Sequence, residues 1–277
     1  ISGSQLIMPN TTTLGTYNID LITSDGQRQL RKRVVVNVVD NVEPTISISA
    51  SNGSITVSDG STIKDNTLYF TFAISETTAN FTIEDISVSG GTLSNFSGSG
   101  TSYTVTFIPS SDGAFALDVD AGVFTDAAGN NNVQSSQFNW NFDSTGPITS
   151  ITANGPSNSI LDGSASNDTK VTLTFTINET TTDFTAEDIT ISGGTLSGFS
   201  GSGTQFIVYV FPDLEGDLTI DIDPSLFTDA LGNGNSVADQ FSWIYDITKP
   251  GMVITVSNGA NTISNGSATN DAIVNLT

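Results

Sequence analysis

The sequence is built on a repeat of 103 residues, written twice in succession and begun a third time. The segment FTIEDISVSGGTLSNFSGSGTSYTV from Phe81 returns as FTAEDITISGGTLSGFSGSGTQFIV from Phe184, and VFTDAAGNNN from Val123 returns as LFTDALGNGN from Leu226. The stretch LDGSASND from Leu161 returns as SNGSATND from Ser264. A solenoid unit spans about 20 to 50 residues, so this period is too long for one. It is long enough for each unit to be a domain with its own core. The chain therefore reads as a piece of a tandem array: residues 45–147 and 148–250 are whole units, and residues 251–277 begin a third.

Within each unit the hydrophobic period is two. Leu68, Phe70, Phe72 and Ile74 alternate with Tyr69, Thr71 and Ala73; Phe115, Leu117 and Val119 alternate with Asp118 and Asp120; Phe138, Trp140 and Phe142 alternate with Asn139 and Asn141. This is the signature of strands with one buried and one wet face, as in an antiparallel sandwich. Trp140 and Trp243 fall on the inward register and are expected in the core. Breakers such as Asp59-Gly60, Gly90-Gly91, Ser97–Gly100, Ser111-Asp112-Gly113 and Ala128-Gly129-Asn130 supply the reversals. Seven strands are expected, starting near positions 45, 67, 81, 92, 101, 114 and 136, which is an immunoglobulin-like sandwich by count and size. The fold class is all-β, with tandem sandwiches arranged end to end. Residues 1–44 differ: Gly15–Gln27 and Arg31–Asp40 read as the last two strands of a preceding sandwich of another subtype, and Arg28, Arg31, Lys32 and Arg33 cluster there.

Composition removes several chemistries. Seven Lys and Arg stand against 29 Asp and Glu, a formal net charge of −22. Such a surface repels phosphate backbones and anionic headgroups, which disfavours nucleic-acid and membrane-surface roles and suits small cations. Acidic residues also keep β-rich proteins soluble. With no Cys and no His, thiol nucleophiles and acid–base schemes that need imidazole are excluded. No apolar run is long enough to span a bilayer. There is no phosphate-binding Walker loop, no Gly-x-Ser-x-Gly elbow and no aromatic-basic stripe. An enzyme is not expected.

The joints repeat as faithfully as the units. Asp40-x-x-x-Pro44, Asp143-x-x-x-Pro147 and Asp246-x-x-x-Pro250 keep the same spacing, even across the unlike first segment. In an antiparallel sandwich the loops after strands two, four and six return to the pole at which the chain enters. These loops bring Glu76, Asp126 and Asn130 in the first unit, and Glu179, Asp229 and Asn233 in the second, toward Asp40 and Asp143. Asp85 and Asp188 lie near the start of strand three. Asp120 and Asp223 end strand six, while Asp59 and Asp65, with Asp162 and Asp168, belong to the far pole together with Asp112 and Glu215. Carboxylates brought together raise one another's pKa. Calcium removes that penalty by accepting six to eight oxygens. Calcium is thus expected at the joints, held first by Asp40, Glu76, Asp85, Asp126, Asn130, Asp143, Glu179, Asp188, Asp229, Asn233 and Asp246. Asp59, Asp65, Asp120, Asp162, Asp168 and Asp223 form a second tier. The alternative is that Asp-Ala-Ala-Gly-Asn is a turn and the acids are solvated.

Taken together, Phe-Thr-x-Glu-Asp-Ile, Gly-Gly-Thr-Leu-Ser-x-Phe, Phe-Thr-Asp-Ala-x-Gly-Asn and the Asp-x-x-x-Pro exit resemble the bacterial immunoglobulin-like repeats of large surface adhesins. The resemblance covers residues 45–277; the first 44 residues resemble a related Ig-like or hyalin-type repeat. It implies an extracellular or cell-surface array that extends a binding tip for cell or surface attachment, with calcium between domains. Departures are Asn265, where Asp59 and Asp162 stand in the other copies, and Asn80, where the second copy has Asp183. The partners so implied are neighbouring repeats of the same chain. Two other roles compete: a subunit of an extracellular filament, appendage or sheath contacting other copies laterally, and a glycan-binding module.

Overall fold

The computed structural model describes residues 13–156, 158–258, 261–267 and 275–276. These divide into two compact units, one running to Gly146 and including Leu231–Asn233, the other comprising Pro147–Ala230 and the chain from Gly234. Residues 1–12 and most of the third copy beyond Ser267 lie outside the described residues.

The chain opens with a two-stranded antiparallel hairpin, β1 (Gly15–Ser24) and β2 (Gln29–Val38). Its reversal is the expected one: Asp25 Oδ1 accepts the amides of Gln27 and Arg28, and Gly26 takes a positive φ. Tyr17 and Ile19 face Val36 and Val34 on the drier side, while the basic cluster is solvated and Arg33 reaches Asp20 at 3.1 Å.

The first sandwich comprises β3 (Ile46–Ser51), β4 (Thr56–Val57), β5 (Ser61–Ile63), β6 (Leu68–Thr78), β7 (Ile86–Val88), β8 (Gly91–Pro109), β9 (Gly113–Val119) and β10 (Phe138–Phe142). One sheet is ordered β4-β3-β6-β8, the other β5-β10-β9-β7. The first expected strand is thus broken into β3, β4 and β5, and β5 crosses to the second sheet to pair in parallel with β10. The strand expected near Phe81 begins later, because a 3-10 turn, Ile83–Asp85, intervenes before β7. β8 doubles back on itself. A Cβ on Gly98 would lie 2.3 Å from the Ser102 carbonyl and one on Gly91 2.5 Å from that of Ile108, so only glycine permits the two arms to lie so close. Those arms are the strands expected near positions 92 and 101.

The second sandwich repeats this arrangement with β11 (Thr149–Asn154), β12 (Ser159–Ile160), β13 (Ser164–Ser166), β14 (Val171–Thr181), β15 (Thr190–Ser192), β16 (Gly194–Pro212), β17 (Gly216–Asp221) and β18 (Phe241–Tyr245). Three short strands follow: β19 (Val256–Ser257), β20 (Thr262–Ile263) and β21 (Asn275–Leu276).

Each sandwich has its own core, filled by the inward register of both sheets. In the first, Phe70 packs against Phe107, Phe138 and Trp140, while Phe81 packs against Phe72, Tyr103 and Phe124. In the second, Phe184 takes the place of Phe81 against Phe175, Phe206 and Phe227. Trp140 and Trp243 are 2% and 1% exposed. Offset and edge-on aromatic pairs of this kind add to plain area burial, and with no disulfide available packing alone holds each sandwich.

Candidate functional site: a carboxylate cluster at the entry pole

Glu76 owes its position to an interruption in the β6–β8 ladder. Ala73 pairs with Ser102, but the next pair is Thr78 with Gly100, so β6 spends extra residues while β8 spends almost none. The bulged stretch instead meets the entering chain: Ser75 N donates to Thr45 O at 2.9 Å, and Thr45 N donates to Ser75 Oγ at 2.9 Å. A bulge re-aims the side chains it carries, and here it turns Glu76 toward the linker. Thr176 and Thr181 of β14 interrupt the second sandwich in the same way.

Asp126 sits in the loop between β9 and β10. Thr78, 2% exposed, forms an isolated bridge with Asp126 and places its hydroxyl 2.7 Å from Thr125 O and 2.9 Å from Asn80 Oδ1. Tyr103 donates its hydroxyl to Thr78 O at 3.0 Å. Across the loop, buried Asn132 accepts the amides of Val123 and Phe124 and donates to the carbonyls of Asp120 and Val133. Thr78 and Asn132 therefore fix the loop without ligating anything. Neither stands out by residue type. Their recurrence as Thr181 and Asn235 is the only sequence signal, and Asn235 makes the same four bonds.

The linker residue Asp40 completes the group. Its Oδ1 accepts the amide of Val42 at 3.1 Å, an Asx turn. One carboxylate oxygen from each of Asp40, Glu76 and Asp126 lies within 4.8 Å of the other two. Their electrostatics differ. Burial, then the charges of Asp40 and Asp126, push Glu76 above the usual glutamate range. Burial works the same way on Asp126, but donors outweigh it and hold that carboxyl below the usual range. Those donors are the Asn130 side chain at 2.8 Å and the amides of Asn130, Gly129 and Ala128. Glu76 Oε1 is buried and no donor reaches it. A buried acceptor without a donor is uncommon and calls for an explanation.

Two acids and one buried orphan oxygen fit a hard cation better than any other partner, since calcium takes carboxylates, carbonyls and water in flexible geometry. Asp40, Glu76 and Asp126 would hold it. Asn130, expected as a ligand, stands beside the group as a donor: its amide nitrogen bonds Asp126 Oδ2 at 2.8 Å and Asp40 O at 3.4 Å. In the second unit Glu179 and Asp229 stand at the sequence positions that Glu76 and Asp126 hold in the first, while Asn233, which belongs to the first unit, donates its amide to Asp143 O at 3.1 Å. Asp143 belongs to the first unit, and Asp246 repeats the Asx turn by accepting Thr248 N at 2.9 Å.

The remaining expected ligands are placed elsewhere and engaged otherwise. Asp85 and Asp188 close capping boxes, accepting the amides of Thr82 and Thr185 at 2.7 Å. Asp59 and Asp162 accept the amides of Asn139 and Ser242, pinning the start of β10 and β18. Asp65 accepts from Asn52, and Asp168 from Ser166. Asp120 and Asp223 are exposed, and it is their carbonyls that the loop asparagines use. Short polar side chains compete well for nearby backbone donors, so a recurrent Asp at a turn is a structural acceptor before it is a ligand.

A family model described as Bacterial Ig-like domain matches residues 40–142 and 145–245. No curated protein matches the chain. Among solved structures, Yersinia pseudotuberculosis InvD is 17% identical with a TM-score of 0.32, covering 77% of this chain and 62% of its own. The C-terminal domain of the Streptococcus agalactiae AgI/II polypeptide BspA is 10% identical with a TM-score of 0.37, covering 73% and 99%. Yersinia pseudotuberculosis adhesin InvE is 13% identical with a TM-score of 0.26, covering 73% and 59%. The chain thus spans less than two thirds of both Yersinia proteins.

Proposed function

Because this chain belongs to the bacterial Ig-like domain family, we propose that it is a non-catalytic stalk segment of an extracellular surface adhesin. Its tandem sandwiches would extend a binding tip, with calcium stiffening the joints. The observation that carries the cation half of this reading is Glu76 Oε1, buried without a donor and faced by the carboxylates of Asp40 and Asp126. Calcium converts that repulsion into attraction and would be completed by carbonyls and water. Asp143, Glu179 and Asp229 stand at the same sequence spacing as Asp40, Glu76 and Asp126; the reading extends to them on the repeat alone. The stalk half rests on tandem order and short proline-bearing linkers.

One observation favours lateral assembly as a second reading. The second sandwich exposes Leu161, Leu214 and Val237 where the first has Ser58, Ser111 and Gln134. A glycan module is less well supported. The outward tyrosines Tyr69 and Tyr209 lie over glycines: Gly53 and Gly198 have no room for a Cβ at ordinary contact distance from those rings.

Calorimetry of the whole chain tests the proposal, first in calcium and then in excess chelator, with magnesium as control. At a calcium concentration 100 times Kd the site adds about 2.7 kcal/mol, or roughly 10–20 °C in the transition of a domain this size. Superimposable melts in calcium and chelator would reject the calcium reading.

A further inference from the structure

The first three residues of the exit linker are fastened to the sandwich they leave. Asp143 N donates to Ile63 O at 3.0 Å, and Asp143 Oδ1 accepts Thr145 N at 3.2 Å. Asp112, in the turn between β8 and β9, takes the rest: its Oδ1 accepts Ser144 N at 3.0 Å and Ser144 Oγ at 2.8 Å, and its Oδ2 accepts the hydroxyl of Thr145. These donors hold the Asp112 carboxyl below its ordinary range, the Thr145 hydroxyl contributing most. On the far side of the proline the chain is fastened again, now within the second unit. Pro147 O accepts Ser236 N at 2.9 Å, and Ile148 N donates to Asn178 Oδ1 at 2.6 Å. Only Gly146 is left between the two sets of bonds.

The second sandwich makes the same clamp with different residues. Asp246 N donates to Ser166 O at 3.0 Å, and Asp246 Oδ1 accepts Thr248 N. The turn residue is now Glu215, which accepts Ile247 N at 2.6 Å and the hydroxyl of Thr248 at 2.9 Å. Asp has become Glu and Ser has become Ile, which removes one hydroxyl bond, yet the amide and threonine-hydroxyl bonds persist. A pattern that survives a change of residues on both sides is tied to the linker's position rather than to one turn sequence. The linker at Asp40 keeps the Asx turn to Val42.

We infer that Asp112 and Glu215 are positioning residues that lock each exit linker to its own sandwich. The lock presents the linker aspartate in one pose and, at the joint fastened on both sides of its proline, leaves Gly146 as the single residue free to bend. A residue before proline is already restricted, but glycine relaxes that restriction, so Gly146 is where freedom remains. The lock needs no metal and stands independently of the calcium reading.

The chain contains no cysteine, so Thr104→Cys and Gln205→Cys, both at exposed strand positions, give one spin-label pair. Pulsed-EPR distance distributions are recorded on the full chain in chelator. The expected result is a narrow distribution in the parent, a broadened one in Asp112→Ala, and a narrow one again in Asp112→Glu, which imitates the second repeat. Gly146→Ala should narrow the parent distribution further. If Asp112→Ala fails to fold, Ser144→Ala/Thr145→Val removes the two hydroxyl donors and must broaden it instead. A broad parent distribution, or equal widths for the parent and the variant lacking the clamp, overturns the inference. Calcium is added last. A parent that does not respond to it counts against the cation reading and leaves the lock standing.

Discussion

Replacing Thr78 by Val tests whether the Asp126 loop is held by a buried hydroxyl. The substitution keeps the branched shape, so no cavity opens, and it deletes one group. That hydroxyl lies 2.7 Å from Thr125 O in a position only 2% exposed. A typical hydrogen bond contributes about 1 kcal/mol net, and a buried acceptor left bare costs about 1–3 kcal/mol. The expected loss is therefore about 1–3 kcal/mol, or roughly 5–20 °C in the melting of a domain of this length. Calorimetry should place the whole shift in the transition of the first sandwich, since each sandwich has a separate core. Thr181→Val should cost less. There the hydroxyl is given to Asp183, an acceptor that keeps the amide and hydroxyl of Thr228, whereas Thr78→Val bares the Thr125 carbonyl. A first transition unmoved by Thr78→Val, or a larger loss at Thr181, would refute this account of the brace.

Glu76→Gln should raise the melting temperature of the first sandwich in chelator and abolish its response to calcium, both read by calorimetry. Because the folded pKa of Glu76 is raised, the metal-free native state takes up protons more readily than the unfolded chain, and stability should rise as pH falls into the range just above ordinary glutamate. Asp126 and Asp112 are lowered, so the stability they contribute at neutral pH is lost only at more acidic pH, below the ordinary aspartate range. In saturating calcium the first trend should invert, since protonating Glu76 competes with the cation; melting curves across pH with and without calcium decide it. Gly98→Ala should cost on the order of 3 kcal/mol or more, because the new methyl would meet the Ser102 carbonyl and the Tyr103 backbone at a φ that L-residues rarely adopt. Far-UV circular dichroism and calorimetry would reveal the lost first transition.

The sandwich was legible because its determinants are local. Alternation at Phe70, Phe72, Phe138 and Trp140 identifies the buried face, and Gly-bearing breakers mark the reversals. What was not legible depends on bonds between distant residues. Nothing near Phe81 announces that Asp85 folds its side chain back onto Thr82 and replaces the start of a strand with a 3-10 turn. The break of the first strand, with β5 crossing to pair with β10, likewise follows from Asp59 reaching Asn139. At the entry pole, repeat spacing and strand direction singled out Asp40, Glu76 and Asp126. The same logic also drew in Asp85 there, and Asp59 and Asp162 at the far pole, because recurrence preserves a turn acceptor as faithfully as a candidate ligand.

An orphaned oxygen sets Glu76 apart from the turn acceptors where recurrence does not. Asp59, Asp85, Asp112 and Asp162 each accept at least one backbone amide, so their charge is already compensated by the fold and a cation would have to displace or share those donors. Glu76 has an oxygen that no donor reaches, and it faces two further carboxylates. Asp126 lies between these cases: the Asn130 side chain and the amides of Asn130, Gly129 and Ala128 hold its carboxyl below the usual range despite its burial. No ion pair supplies what Glu76 lacks: no cationic group reaches its Oε1, and the Arg33–Asp20 pair belongs to the hairpin. The bulge in β6 is therefore best understood together with the cluster. It holds a half-buried acid, one of whose oxygens is sealed from solvent, in a position that raises its own pKa, a strain that persists only where the surrounding structure enforces it. A mobile divalent cation is the partner whose charge and coordination number would relieve it.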